Sequence, residues 1–176
     1  DSDPEMDTLS IASLFKPVNG SVRALSDQTV LYTPNSGFIG VDEFFYTISD
    51  GNLNVSTGTV TVTVNGRPDV VNDDVYTAVN RPLNINVLSN DTDPEMDMLS
   101  VVEIQAPPSG TATIAANNIV IFSPEQNFSG IVSFAYTAED ARGGRAQATI
   151  NVTVNTTPVA NQDAALTQQD TSVTID

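Results

Sequence analysis

The sequence contains no cysteine, no histidine and no tryptophan, and only six Lys and Arg among its 176 residues. Without cysteine there is no disulfide and no thiol nucleophile. Without histidine the commonest general base is missing, and with cysteine also absent no soft-metal site can be built. Lack of tryptophan removes the best ring for stacking on sugars. Twenty-two acidic residues leave a formal charge of −16, which argues against nucleic acid and against anionic membranes, both of which call for a basic footprint. No apolar run approaches the length of a membrane span, and no signal-peptide pattern is present. A chain without disulfides suits a cytosol, or a bacterial exterior in which another staple, such as a metal, serves.

What the sequence does contain, it contains twice. Asp1-Ser-Asp-Pro-Glu-Met-Asp-Thr-Leu-Ser returns as Asp91-Thr-Asp-Pro-Glu-Met-Asp-Met-Leu-Ser, an offset of 90 (91 − 1). The offset holds at Tyr32-Thr-Pro against Phe122-Ser-Pro, at Phe44-Phe-Tyr-Thr against Phe134-Ala-Tyr-Thr, and at Thr61-Val-Thr-Val-Asn against Asn151-Val-Thr-Val-Asn. A fixed period marks a modular array. Helix signals are nearly absent, and β-branched alternation dominates, as in Gly58-Thr-Val-Thr-Val-Thr-Val and Leu83-Asn-Ile-Asn-Val. Such runs bounded by Pro, Gly, Asn and Asp predict an all-β chain of tandem seven-stranded Greek-key β-sandwich modules. In the complete copy the strands are expected at about 70–78, 82–88, 98–105, 110–115, 118–123, 130–138 and 145–154. Asn65-Gly-Arg-Pro and Asn155-Thr-Thr-Pro read as linkers, since Pro cannot continue a ladder. Residues 1–67 are then a module lacking its first two strands, 68–157 a whole module, and 158–176 the first two strands of a third.

The best-matched stretch is acidic. Asp91, Asp93, Glu95 and Asp97 occupy alternate positions, as do Asp1, Asp3, Glu5 and Asp7. Ca²⁺ takes six to eight hard oxygens, and a tight loop with acids at alternate positions can wrap several around one ion. Clustered carboxylates with no basic residue beside them in sequence repel one another unless a cation sits among them. The loop is not an EF-hand, because Met6 and Met96 stand where that loop needs glycine. Candidate partners from elsewhere recur in the repeats: Asp50 and Asp140 after the Tyr-Thr strand, and Asn72 with Asp73 past the linker, repeated as Gln162 and Asp163 with Asn161 beside them. Tyr46 and Tyr136 read as core positions. Paired carboxylates can run glycoside hydrolysis, but no aromatic cleft residues accompany these, and no enzyme activity is expected.

Taken together, Pro158-Val-Ala-Asn-Gln-Asp, Val87-Leu-Ser-Asn-Asp-Thr-Asp-Pro-Glu-Met-Asp and Phe134-Ala-Tyr-Thr-Ala-Glu-Asp resemble the bacterial cadherin-like Ig-fold tandem repeats of giant surface adhesins and secreted multidomain proteins. The resemblance covers the whole chain. It implies Ca²⁺ near module junctions, with Asp91, Asp93 and Asp140 at the top of the second copy and Asp1, Asp3 and Asp50 in the first. Asn72 and Asp73 would complete a cage from the linker, and Glu5, Asp7, Glu95 and Asp97 would add ligands or support them. The linker departs from the family pattern in lacking a full run of acids and Asn, so fewer ions per junction are expected.

The function expected from this resemblance is an extracellular structural or adhesive module, at a bacterial surface, whose Ca²⁺ fixes the angle between neighbours. Its partners would be adjacent modules, neighbouring copies placed head to tail, or a surface glycan or protein receptor. One alternative is a filament subunit polymerising by donor-strand complementation, with residues 158–176 completing the first copy of the next molecule. Asp163, with Asn161, would then approach the neighbour's Asp1, Asp3 and Asp50. Another is an accessory carbohydrate-binding module of a secreted enzyme.

Overall fold

The computed structural model describes residues 1–26 and 28–175, and they form an all-β fold. Five strands lie in the first copy: β1 (Ser10–Leu14), β2 (Gly20–Ala24), β3 (Val30–Pro34), β4 (Gly40–Ser49) and β5 (Val55–Val64). The second copy holds β6 (Asp73–Ala78), β7 (Leu83–Ile85), β8 (Ser100–Ile104), β9 (Thr111–Ile114), β10 (Val120–Ser123), β11 (Gly130–Glu139) and β12 (Arg145–Asn155). The expected strand at 82–88 is shorter than its pattern. It stops at Ile85, and Val87–Ser89 winds into a single 3₁₀ turn.

Sheet order is β1-β4-β5 and β2-β3 in the first copy, and β6-β12-β11-β8 and β7-β10-β9 in the second. The pair β4–β5 is a long antiparallel hairpin running from Gly40↔Val64 to Ser49↔Val55. In contrast, β6 runs parallel to β12, from Ile150↔Asp73 to Asn155↔Ala78. Side chains alternate as period-two strands require. Ala148, Ile150, Val152 and Val154 of β12 are buried, while the residues between them are part-exposed. At the matching positions of β5, Gly58, Val60, Val62 and Val64 are only half-buried. Phe122 stacks on Phe134 with centroids 5.6 Å apart. In the first copy Tyr32 stacks on Phe44 at 6.4 Å.

The chain divides into two compact units, and the division does not follow the 90-residue period. One comprises Asp1–Val70, Asn90–Val102 and Thr137–Gln147, and the other Val71–Ser89, Glu103–Tyr136 and Ala148–Asp176. The acidic loop of the second copy and the turn after β11 therefore belong with the first copy and its linker. Residues 158–175 carry no strand and are exposed throughout, with one turn near Asp170. Asp176, the last residue of the expected strand pair, lies outside the described residues. No helix among the described residues is long and apolar enough to cross a membrane.

Candidate functional site

Each acidic loop is organised by its second aspartate. Asp93 Oδ1 accepts hydrogen bonds from the backbone N–H of Glu95 (2.9 Å) and of Asp97 (3.1 Å). Asp3 Oδ1 accepts the same pair from Glu5 (2.9 Å) and Asp7 (3.1 Å). Aspartate favours such turns because its short side chain imitates a backbone acceptor. The following methionine then takes a left-handed backbone, φ 61° at Met96 and 63° at Met6. That is the position where an EF-hand loop carries glycine, and here an L-residue bears the steric cost.

The turn after β11 presents Asp140 in the same way. Its Oδ1 accepts N–H groups of Arg142 (2.7 Å) and Gly144 (2.9 Å), and its Oδ2 accepts Asn65 Nδ2 at 2.8 Å. Burial by itself would raise the Asp140 carboxyl. The amide of Asn65 and the backbone of Gly144, Arg142 and Gly143 outweigh it and hold the group below the usual carboxylate value. Gly144 has no room for a side chain, since a β-carbon there would run into Asp140 Oδ2 and lie 2.6 Å from the Gly66 carbonyl oxygen.

The linker is the third wall of the site. Asn65 holds Asp140, and the next N–H, that of Gly66, donates to Glu95 Oε1 at 3.0 Å. Asp69 bridges to Thr92 through backbone bonds of 2.8 and 3.0 Å. Two successive linker residues thus tie down both acidic arms. Three buried oxygens here have no hydrogen-bond partner among the described residues: Asn65 Oδ1, Asp93 Oδ2 and Glu95 Oε2. A buried polar atom without a partner costs about 1–3 kcal/mol, so three in one neighbourhood form a donor set suited to a hard cation. No three acidic side chains among the described residues are gathered at metal-binding spacing. A cation here would therefore draw on amide and backbone oxygens beside the carboxylates.

Other sequence-derived candidates fall differently. Asp97 is engaged in an ion pair with Arg142, so the reading that no base accompanies the acids does not hold for it. The base comes from the turn after Asp140, 45 residues away in sequence. Asn72 and Asp73 lie in the other unit. Asn72 Oδ1 accepts the N–H of Thr149 at 2.9 Å, and Asp73 opens β6 opposite Ile150. Asp91 is half-buried, while Asn161 and Asp163 are exposed in the tail.

In the first copy, Asp3 and Asp50 line one shallow depression of about 180 Å³. Asp50 finds its amide partner within its own turn, accepting Asn54 Nδ2 at 2.8 Å and Asn52 N–H at 2.7 Å. These bonds, the Asn54 side chain foremost, hold its carboxyl low. Asp7 accepts Asn52 Nδ2 at 2.8 Å, and Glu5 is exposed. Asp1 accepts the Tyr46 hydroxyl at 2.9 and 3.0 Å. Sequence reasoning missed Asn65, Gly66 and Gly144. The first two were legible only as a linker, and Gly144 only as a turn residue.

The profile of the bacterial Ig domain family matches residues 1–63 and again 65–153. No curated protein matches the chain. Among solved structures, the chain is similar to an endo-fucoidan hydrolase from glycoside hydrolase family 107, with 21% identity and a TM-score of 0.41, over 88% of this chain and 24% of that one. It is also similar to the human desmocollin-1 ectodomain, with 12% identity and a TM-score of 0.41, over 88% of this chain and 36% of that one. A third is the protocadherin gammaB4 extracellular domain, with 15% identity and a TM-score of 0.35, over 84% and 28%. The chain thus spans between about a quarter and about a third of the length of these structures. With two family matches that together cover most of its length, the chain belongs to the bacterial Ig domain family.

Proposed function

We propose that the chain is an extracellular structural or adhesive repeat whose junction binds Ca²⁺. The ion would be held by Asp93 and Glu95 together with linker oxygens of Asn65 and Gly66, and Asp140 would position Asn65 through its side-chain amide. What supports this most is the trio of buried, partnerless oxygens Asn65 Oδ1, Asp93 Oδ2 and Glu95 Oε2, from a linker and a loop that are already tied together. Hard oxygens in a flexible loop suit Ca²⁺ better than Mg²⁺, which demands a stricter octahedron and keeps its water. Bound there, the ion would stiffen the linker by bridging it to the loop and to the Asp140 turn. The first copy carries the same loop, with Asp3 Oδ1 accepting the same two N–H groups.

Binding to the native state alone raises stability with the logarithm of ligand excess. Excess calcium should therefore raise the melting temperature of chelator-treated protein, and equal magnesium should restore much less. Melting curves that coincide in calcium and in chelator would overturn the reading.

A further inference from the structure

We propose that the Asn65-Gly66 peptide of the linker is a deamidation site, held unreactive while the linker lies against Glu95 and Asp140 and converted irreversibly when it leaves them. No metal takes part, so the site stands apart from calcium binding. Asn65, Gly66, Glu95 and Asp140 all belong to one compact unit. Each linker residue is dictated by its contacts. Asn65 Nδ2 donates to Asp140 Oδ2 at 2.8 Å, and an ionised aspartate in its place would have no proton to give. Gly66 is buried, and a β-carbon on it would lie 2.9 Å from Glu95 Oε2 and 3.2 Å from both Ile39 Cδ1 and Pro94 Cγ. The junction therefore calls for asparagine followed by glycine, the pair in which no side chain shields the backbone nitrogen from the amide carbon. Ninety residues on, the sequence reads Asn155-Thr156, and a branched side chain stands in the way.

Deamidation begins when the Gly66 nitrogen attacks Asn65 Cγ and gives up its proton to solvent. The Cγ–Nδ2 bond then breaks, ammonia leaves with a proton taken from water, and a cyclic succinimide remains. Water opens the ring at either carbonyl, leaving aspartate or isoaspartate at position 65. The sum is amide plus water to carboxylate plus ammonium, with no oxidation or reduction. The closed junction opposes each step. The attacking group, Gly66 N–H, is held by Glu95 Oε1 at 3.0 Å, and the leaving amide is held by Asp140. Negative charge developing on Asn65 Oδ1 meets no donor, because that buried oxygen has no hydrogen-bond partner among the described residues. The carboxylates of Glu95 and Asp140 disfavour such charge further.

Reaction therefore proceeds from the fraction of molecules whose linker has left its partners. The product keeps it away. Aspartate at position 65 sets a second carboxylate where an amide met Asp140 Oδ2, and like charges repel. Isoaspartate also adds a carbon to the main chain, which shifts the Gly66 N–H from Glu95 Oε1. The Asn65-Gly66 pair thus turns a transient opening of the junction into a lasting one.

Peptide mapping by mass spectrometry tests this on the 176-residue chain. Incubation at mildly alkaline pH in chelator makes the result independent of whether the junction binds calcium. Asn65 should deamidate at least about tenfold more slowly than in a synthetic peptide of residues 60–71, the factor that an open fraction of about one in ten imposes. Glu95→Ala frees the Gly66 nitrogen and should speed the loss of Asn65 severalfold. Asp140→Ala frees the leaving amide and should do likewise. Neither should change Asn19, an asparagine whose following glycine opens β2. In chelator, Asn65→Asp should melt at a lower temperature than Asn65→Ala, since only the former adds a repelling charge. Equal rates in chain and peptide would overturn the proposal. So would an unchanged or slower loss of Asn65 in the two variants, or an equal acceleration at Asn19 and Asn65. Melting of Asn65→Asp at or above Asn65→Ala would overturn the blocked reclosure.

Discussion

Asp3 and Asp93 accept the same two N–H bonds at the same lengths, yet Asp93 is buried and Asp3 only half-buried. The neighbouring turns differ in the same sense. Asp140 takes its amide partner from Asn65 of the preceding linker, whereas Asp50 takes its own Asn54. The tyrosines repeat the contrast. Tyr136 is buried, its hydroxyl donating to the carbonyls of Val87 (3.3 Å) and Val71 (3.4 Å). Tyr46 is half-exposed and turns its hydroxyl to Asp1. One loop sequence in two surroundings gives a closed site and an open one. The loop sets its own backbone, and in the second copy the linker Asn65-Gly66 lies against it and the Asp140 turn.

The largest effect is expected at Asp140. Asp140→Asn puts an amide against Asn65 Nδ2 and removes a charge, and should weaken calcium binding by at least about tenfold, in the range seen when groups around a metal are lost. Asp50→Asn should change it far less. Calorimetry on the two variants checks the difference, and equal losses would break the comparison. Gly144→Ala should come next. Its β-carbon meets Asp140 Oδ2 and the Gly66 carbonyl, an overpacking that costs about 1–3 kcal/mol. Asn54 stands at the matching place in the first copy, so Asn54→Ala should instead remove one hydrogen bond without a clash. Denaturant unfolding separates the two.

Tyr136→Phe removes the buried hydroxyl shared by the Val87 and Val71 carbonyls and should cost about 1 kcal/mol. Tyr46→Phe, on an exposed bond, should cost almost nothing. The first copy has a polar pair of its own. Asp42 is 4% exposed and accepts the Tyr32 hydroxyl (2.9 Å) and the Asn19 N–H (3.0 Å), where the second copy has Val132 and Phe122. Burial pushes the Asp42 carboxyl up, but the Tyr32 hydroxyl and the backbone of Glu43, Asn19 and Val18 bring it below its usual value. A carboxyl lowered in the fold contributes stability above its unfolded pKa, and that contribution is lost as pH falls through the folded value. The stabilisation from Asp42 should thus be lost on acidification, and Asp42→Val with Tyr32→Phe should flatten the acid limb of the first copy. The smallest effect is expected at exposed Met96. Met96→Gly relieves a left-handed L-residue and should stabilise by up to about 1 kcal/mol, as should Met6→Gly.

Much of this was legible in residues alone. The period aligned Asp3 with Asp93, and alternation marked β5 and β12 because each carries branched residues every second position. The acidic loop was legible as a turn with acids at alternate positions, repeated at the same offset. Asn65 and Gly66 were not legible as site residues, since their role depends on contacts with Asp140 and Glu95 that lie 75 and 29 residues away. Arg142 escaped for the same reason. Asn72 was a reasonable ligand by analogy, but its oxygen serves the backbone of Thr149. Nor could the pattern show that Val87 turns away from a strand, because an apolar run at a strand end reads alike in either form.

The central claim is that the linker completes the second site. The direct test is a calcium titration by calorimetry on a chain carrying Asp3→Asn and Asp50→Asn, with and without Asn65→Ala. The first chain should keep a calcium site, and adding Asn65→Ala should weaken it by roughly tenfold. A chain that binds no calcium once Asp3 and Asp50 are changed, or that binds it equally well without the Asn65 side chain, would contradict the account.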